Sequence, residues 1–187
     1  MGPMSRTGFV ERAAAVAYLR RLGAAETPHL TTDLLTHLLG TEAILRDWDA
    51  PGHVQLAGLC HAIYGTDGFP HPLAGLDARP DWSAAIGPEA EALVYLYGSC
   101  DRGVTHPALG APAVPFRDRF DGSRFVATPT QMAGFALVTV ANELDLVRRG
   151  ALDEEWRDDV ADLFDRLVPY AGDRARAAAA EVRGGAG

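Results

Sequence analysis

Two histidines define the chemistry that this sequence could support. His37 and His61 each lie among apolar residues in the stretch Asp33–Asp67, which has the spacing of two amphipathic helices joined by a turn at residues 48–51. Each histidine shares a helical face with apolar neighbours, so both side chains should point into the interior. A buried imidazole needs hydrogen-bonding partners and is a ready base or metal ligand. The pair is therefore either two core histidines satisfied by neighbours or the centre of one shared site.

Several other polar side chains could join that site. Asn142 lies on the apolar stripe of a later helix and must meet a polar partner if it is buried. Tyr64 comes one turn after His61, where a phenol could reach the same pocket, although a core aromatic is the commoner outcome. Asp101 and Arg102 end another helix, as a terminal ion pair or as a pair that orients a histidine and binds an anionic group. Two more candidates for contacts with a substrate are Thr66 and Glu143.

The other four histidines have weaker claims. His53 begins its helix and should face solvent. Each of the other three lies beside proline in a segment expected to be a loop, and these are His29, His71 and His106. We expect them to lie outside the site unless those loops close over it.

Apolar residues recur at helical spacing through most of the chain and predict an all-α fold. The predicted helices include Gly8–Leu22, the histidine pair, one that opens at Pro88 and one over Thr130–Arg149. A further stripe runs through Leu152, Trp156, Val160, Leu163, Phe164 and Leu167, with Trp156 facing inward. The alanine-rich segment 173–183 is predicted to be a helix with little to bury. No period-two strand of useful length is present.

Two segments do not follow the helical pattern. Residues 77–87 are predicted to be a loop anchored by Trp82, and residues 102–128, rich in proline and glycine, to be a lid or a pocket wall. Together these features predict one domain over residues 5–183, with about six to seven helices. Residues 1–4 and 184–187 are predicted to be disordered.

Composition limits the function classes. The chain has 187 residues, of which 48% are hydrophobic and 22% charged, typical of one soluble domain. The net charge of −8 and the lack of a basic run argue against nucleic-acid binding. All 17 basic residues are arginine, which excludes a lysine Schiff base and is typical of a GC-rich bacterial genome. The sequence shows no signal peptide and no long apolar run, and its two cysteines form neither a metal-ligand pattern nor a disulfide framework. We therefore expect a cytoplasmic protein without a membrane anchor.

The histidine pattern resembles the HD-domain superfamily over roughly residues 33–147. His37, in His-Leu-Leu-Gly-Thr-Glu, resembles the family's first histidine, and His61, in Ala-Gly-Leu-Cys-His, resembles the second. Asn142, in Ala-Asn-Glu-Leu, lies where the family has a final aspartate in Ala-Asp-Arg-Leu. Members include hydrolases of guanosine tetraphosphate, nucleotide phosphohydrolases and di-iron oxygenases. The chain is also similar to HD-like bacterial and plant proteins of unknown function.

Two departures from that pattern bear on metal binding. Ala62 follows the second histidine, where the family has a metal-binding aspartate, and Asn142 replaces the last one. A two-metal centre is therefore not expected, and we predict no cofactor. A single divalent ion held by both histidines and a substitute carboxylate stays open. The candidate carboxylates are Asp67, Asp101, Glu143 and Glu42.

Three functional hypotheses follow. The first is an enzyme acting on a small, anionic molecule, in which His37 and His61 transfer protons, Asn142 holds a tautomer or an oxyanion, and Arg102 binds the anion. Its reaction stays open among hydrolysis, elimination and isomerisation or cyclisation. The second is a phosphohydrolase or oxygenase with one metal. The third is a non-catalytic ligand-binding or regulatory domain on the same scaffold.

Overall fold

The computed structural model describes residues 6–151 and 153–185, and most of these residues are helical. The all-α prediction is confirmed. Nine α-helices occur in the described part of the chain, compared with the six to seven predicted. They are α1 (Arg6–Arg21), α2 (Leu34–Asp47), α3 (Gly52–Cys60), α4 (Arg79–Ile86), α5 (Pro88–Ser99), α6 (Arg102–Thr105), α7 (Pro129–Arg148), α8 (Glu154–Ala171) and α9 (Asp173–Gly184).

Two short antiparallel ribbons interrupt the helices, and the sequence analysis missed both. Strand β1 (Pro28–His29) pairs with β2 (Thr32–Asp33), and β3 (Pro115–Arg117) pairs with β4 (Arg124–Val126). Strands of two or three residues are too short to show a period of two in the sequence. The first ribbon holds His29 against the helices, whereas an irregular loop would not fix the position of this side chain.

Helices α2 and α3 form the predicted pair. Asp33 caps α2, because its carboxylate accepts a hydrogen bond from the Thr36 backbone N–H at 2.9 Å. The chain then turns at residues 48–51, and α3 begins after Pro51. Helix α3 ends at Cys60, so His61 is its C-terminal cap and does not lie within its last turn.

Helix α7 packs against α2, α3 and α5 and supplies the third wall of the interior. Thr128 starts it with a capping box, since its hydroxyl accepts from the Gln131 N–H while the Gln131 side chain accepts from the Thr128 N–H. The helix lies within one residue of the predicted bounds. Thirteen of its residues are buried, and they include polar side chains at 139, 142, 143 and 145.

Three predictions about the remaining segments are wrong. Residues 77–87 contain helix α4, which buries Trp82 completely. Residues 102–128 hold α6, a 3₁₀ turn at His106–Ala108 and the β3–β4 ribbon. Helix α9 buries much of one face against α8, because small side chains let the two helices approach closely. The buried residues of that face are Ala175, Ala178, Ala179 and Val182.

The ends of the chain are described only in part. Helix α9 continues to Gly184, which was predicted to be disordered. Residues 1–5, Leu152 and residues 186–187 lie outside the described residues, so the predictions about them are untested. None of the helices described here combines the length and the apolar character needed to cross a membrane.

Candidate functional site

His37 lies at the contact between α2 and α7 and is held at both ring nitrogens. Its Nδ1 lies 2.8 Å from Oδ2 of Asp145, and its Nε2 lies 2.9 Å from Oδ1 of Asn142. The side chain is 1% exposed. Arg149 also donates to Oδ2 of Asp145, at 2.7 Å, so this carboxylate accepts from two sides.

The partners of His37 occupy both of its ring nitrogens. Asn142 directs its Nδ2 to Oε1 of Glu143 at 3.0 Å, which leaves its carbonyl oxygen facing the imidazole. Both nitrogens of His37 therefore lie within hydrogen-bond distance of oxygen atoms of the protein. Burial acts to raise the pKa of the Asp145 carboxyl, but hydrogen bonds from His37 and Arg149 outweigh it and lower that pKa. His37 and Asp145 form a buried, hydrogen-bonded pair.

His61 presents a neutral imidazole beside this pair. Its Nδ1 donates to the Gly58 carbonyl at 2.8 Å, one of the carbonyl groups left free at the end of α3. Burial, reinforced by the positive charge of His37, lowers the pKa of His61 to about 3. The proton of the neutral ring is therefore on Nδ1, and Nε2 carries a lone pair that no described group engages.

His29 completes a cluster of three imidazoles. Its ring stacks on His37 with centroids 4.4 Å apart, and His61 meets His37 edge to face at 5.2 Å. Burial and the charge of His37 lower the pKa of His29 to about 4. Its buried Nδ1 has no hydrogen-bond partner among the described residues. We call His29, His37, His61, Asn142 and Asp145 the imidazole site.

Arg102 extends the network through Glu143. It donates from Nη1 to Oε1 of Glu143 at 3.3 Å and from Nη2 to the Tyr97 hydroxyl at 3.2 Å. Burial acts to lower the pKa of Arg102, but Tyr97 and the Glu143 carboxylate raise it, so the guanidinium stays charged. The Tyr97 ring also meets His61 edge to face at 5.3 Å, which places Arg102 and His61 around the same tyrosine.

A cavity of about 540 Å³ opens onto this network. That size suits a small organic molecule. Its wall comes from the β1–β2 turn, the segment after α3, the start of α6, α7 and the start of α8. The lining residues are His29, Leu30, His61, Ala62, Thr66, Gly68, Phe69, Pro70, His71, Arg102, Asn142, Glu143, Leu146, Ala151, Asp153 and Trp156.

The structure brings most of the candidate residues together. His61, Asn142, Thr66, Arg102 and Glu143 all line the cavity. His37 lies directly behind them, bonded to Asn142. Residues on three helices and the segment after α3, far apart in the sequence, thus converge on one place.

Four other candidates lie elsewhere. Tyr64 donates to Glu91 at 3.1 Å, and Arg79 forms an ion pair with the same carboxylate. Asp101 caps α6 and pairs with Arg117, so it does not orient a histidine. Two further carboxylates are engaged outside the cavity: Asp67 accepts from the Arg102 backbone, and Glu42 pairs with Arg12 and Arg46.

Residues 103–128 do not line the cavity, so the predicted pocket wall is wrong for that segment. The ribbon β3–β4 lies instead near the end of α5, where Arg119 donates to the Gly98 carbonyl at 2.6 Å. Gly122, with φ of 79°, lies in the turn that joins the two strands of the ribbon. Shorter segments form the wall instead, one after α3 and one before α8.

Asp145, which holds His37, was not among the site residues predicted from the sequence. Asp145 follows Asn142 by three residues, so both point from the same face of α7. That spacing was a usable signal, since a buried imidazole needs an acceptor. Gly40 on α2 makes the contact possible: a methyl group there would overlap the Asp145 carboxylate and lie 2.7 Å from Nη2 of Arg149.

His29 and Trp156 were also assigned wrongly. His29 was expected in a loop, but it is 9% exposed and stacked on His37. Trp156 was expected to face the core, but it is 59% exposed and lines the cavity. Helical spacing gave Trp156 the face of α8 that carries the buried Val160, Phe164 and Leu167, but in the first turn of the helix this face is exposed at the cavity.

The donor set does not fit a metal ion. Both nitrogens of His37 are committed to protein groups, and Ala62 and Asn142 offer no carboxylate. No group of three or more histidine, cysteine, aspartate or glutamate side chains within residues 6–151 and 153–185 is arranged to hold an ion. We therefore derive no step through a metal.

Comparison with known proteins adds one finding. Residues 18–102 match a family described as a domain of unknown function (DUF6817). The matched part, just under half of the chain, contains His29, His37 and His61 but not Asn142 or Asp145. No curated protein and no solved structure matches the chain. The resemblance to the HD-domain superfamily stays a prediction.

Proposed function

We propose that the chain is a small-molecule enzyme on an HD-like helical scaffold that works without the two-metal centre. The observation that carries the proposal is the convergence of His61, Ala62 and Asn142 on one cavity, with His37 bonded behind them. In the resemblance to the HD-domain superfamily, these four residues correspond to the family's ligands. Asp145 also contacts Nδ1 of His37, as a carboxylate contacts a metal-bound histidine in many metal sites. Nε2 of His37 is then directed at Asn142, which replaces the family's last aspartate.

In this proposal His61 is the group that exchanges a proton with the substrate. Its Nε2 lone pair faces the cavity, whereas neither nitrogen of His37 is free to reach a ligand. His37 and Asn142 act as positioning residues, because the contact between Nε2 of His37 and Oδ1 of Asn142 fixes the amide that lines the cavity. Arg102 binds an anionic group of the substrate through its unused N–H groups. An anion beside His61 would raise the pKa of the imidazole and make it a better base.

The scaffold is tested by restoring the two lost carboxylates. In the variant Ala62→Asp/Asn142→Asp, added Mn²⁺ should raise the melting temperature by mass action. The stabilisation should be about 2.7 kcal/mol at a hundredfold excess of metal over its dissociation constant. Adding His61→Ala to that variant should abolish the response. A folded double variant with no metal-dependent shift would contradict the HD-like arrangement.

The activity is tested with a library of small organic acids. Acids that raise the melting temperature would be incubated with the protein, and conversion followed by proton NMR. We expect at least one to be converted, His61→Gln to bind it without conversion, and Tyr64→Phe, outside the cavity, to convert it at the parent rate. Conversion by His61→Gln at that rate would remove His61 from the chemistry.

A non-catalytic ligand-binding domain is the second candidate, and the low pKa of His61 favours it. An imidazole whose pKa is about 3 is a weak base at neutral pH, although its lone pair still accepts hydrogen bonds. The library experiment separates the two candidates. Ligands that bind in the cavity and are never converted would favour the binding domain.

A further inference from the structure

The mouth of the cavity carries two large apolar side chains that lie in solvent. Leu30 is 66% exposed and Trp156 is 59% exposed, and both line the cavity. Single exposed apolar residues are common on protein surfaces and need no explanation. Two of them facing one cavity form a patch that water solvates poorly and an apolar ligand could cover.

Leu30 is also held in an unfavourable backbone conformation. It occupies the tip of the β1–β2 turn with φ of 46°, in the left-handed region that favours glycine or asparagine. A turn alone would be more stable with one of those residues. A large apolar side chain at a strained, exposed position facing a cavity indicates a contact that it makes there.

The floor of the cavity offers one positive group and one lone pair. Arg102 uses one N–H for Glu143 and one for Tyr97, which leaves three of the five guanidinium donors for a ligand. Because Glu143 shares its charge, a single carboxylate fits better than a dianionic phosphate. Nε2 of His61 accepts a hydrogen bond, so it requires a donor such as a hydroxyl group.

We propose that the cavity binds a hydroxylated carboxylic acid that carries an aryl group. The carboxylate meets Arg102, the hydroxyl donates to Nε2 of His61, and the aryl group lies between Leu30 and Trp156. The inference rests on the proposed function in requiring a small molecule in this cavity, and it adds the chemical class of that molecule. A cavity of about 540 Å³ has room for such an acid.

Four matched compounds test each part of the ligand by titration calorimetry. Mandelate has all three groups, lactate lacks the ring, phenylacetate lacks the hydroxyl, and 1-phenylethane-1,2-diol lacks the carboxylate. We expect mandelate to bind about tenfold more tightly than any of the other three, a difference typical of one good contact. Trp156 also provides an optical signal, because mandelate should change its fluorescence.

Variants of Trp156 and Leu30, the two apolar residues at the mouth of the cavity, separate the contribution of the aryl ring to affinity from that of the carboxylate and hydroxyl groups. Trp156→Ala should weaken mandelate binding about tenfold and leave lactate binding within about twofold. Leu30→Gly, which relieves the backbone strain and should fold, acts in the same direction with a smaller effect. Val126→Ala is the matched control, since Val126 is equally exposed at 59% but lies on β4, away from the cavity.

Three results would overturn the inference. Equal affinity for lactate and mandelate would show that Leu30 and Trp156 do not bind the aryl ring. Equal affinity for the diol and mandelate would show that Arg102 does not bind the carboxylate. If none of the four binds while acids of other chemistry bind and are converted, this substrate class is wrong and the proposed function stands. If no acid of any kind binds in the cavity, both fail.

Discussion

Two of the buried networks of charged and polar groups among the described residues differ in the hydrogen-bonding capacity that they leave unused. In the Glu91 cluster, formed by Tyr64, Arg79 and Glu91, the carboxylate accepts from the tyrosine hydroxyl at 3.1 Å and from Arg79 at 2.7 and 3.2 Å. The imidazole site is equally buried, but Nδ1 of His29 has no described partner and Nε2 of His61 faces a cavity. A buried ion pair by itself thus indicates structure, whereas unused hydrogen-bonding capacity beside a cavity indicates a ligand.

The largest expected effect comes from removing one buried charge in each network. Asp145→Asn and Glu91→Gln affect side chains of nearly equal exposure, 7% and 6%, but their partners differ, because His37 is 1% exposed and Arg79 is 36% exposed. In urea titration Asp145→Asn should lower the free energy of unfolding by roughly 3–5 kcal/mol, and Glu91→Gln should lower it less, because solvent compensates the charge of Arg79. Only Asp145→Asn should also weaken ligand binding in the cavity, because it frees His37. Equal binding by both variants would show that the two networks do not differ as described.

Acid should destabilise the protein through His61 and His29, whose pKa values are both lowered in the folded state. The folded pKa of His61, about 3, lies below its ordinary value of 6.5, so the unfolded chain binds the proton first as pH falls. Stability should therefore fall as pH drops from 6.5 towards 3, with a slope of up to about 1.4 kcal/mol per pH unit from this group.

His61→Asn should flatten the acid limb, measured as the free energy of unfolding against pH. His106→Asn is the comparison, since burial also lowers the pKa of His106 to about 4 but this residue lies outside the cavity. Both variants should flatten the limb, and a cavity ligand should alter it in His106→Asn but not in His61→Asn. An unchanged acid limb in His61→Asn would contradict the neutral, buried imidazole.

The close approach of α2 and α7 should be sensitive to one methyl group. Gly40→Ala places that group against Asp145 and Arg149 and should cost about 1–3 kcal/mol by displacing them. Gly52→Ala is the matched control, because nothing lies within 4 Å of its added methyl group. Thermal melts of the two variants should differ clearly. Equal melting temperatures would mean that the Asp145 carboxylate moves aside without cost.

The smallest effect is expected in the Glu91 cluster. Tyr64→Phe removes one hydrogen bond, and Glu91 keeps both bonds from Arg79, so stability should fall by about 0.5–1.5 kcal/mol. Ligand affinity in the cavity should stay at the parent value in calorimetry. A loss of affinity would show that Tyr64 contributes to ligand binding, although its side chain lies outside the cavity.

Local sequence determined the helices that carry the site. The caps Asp33 and Thr128 and the apolar spacing on α2 and α7 placed His37 and Asn142 on inward faces, because capping and periodicity act within one or two turns. The same reasoning failed for α4 and for the two ribbons. Those elements are too short for a period to appear, and contacts with distant residues hold them in place.

Tertiary structure alone decided the partners. Asp145 reaches His37 from 108 residues away, and it does so because Gly40 lets α7 approach α2. Trp156 has the spacing of a core residue and still lies in solvent, because burial depends on which neighbour covers a face. Spacing along one chain fixes the direction of a side chain within its own helix. What that side chain meets depends on the packing of other helices, which no local pattern encodes.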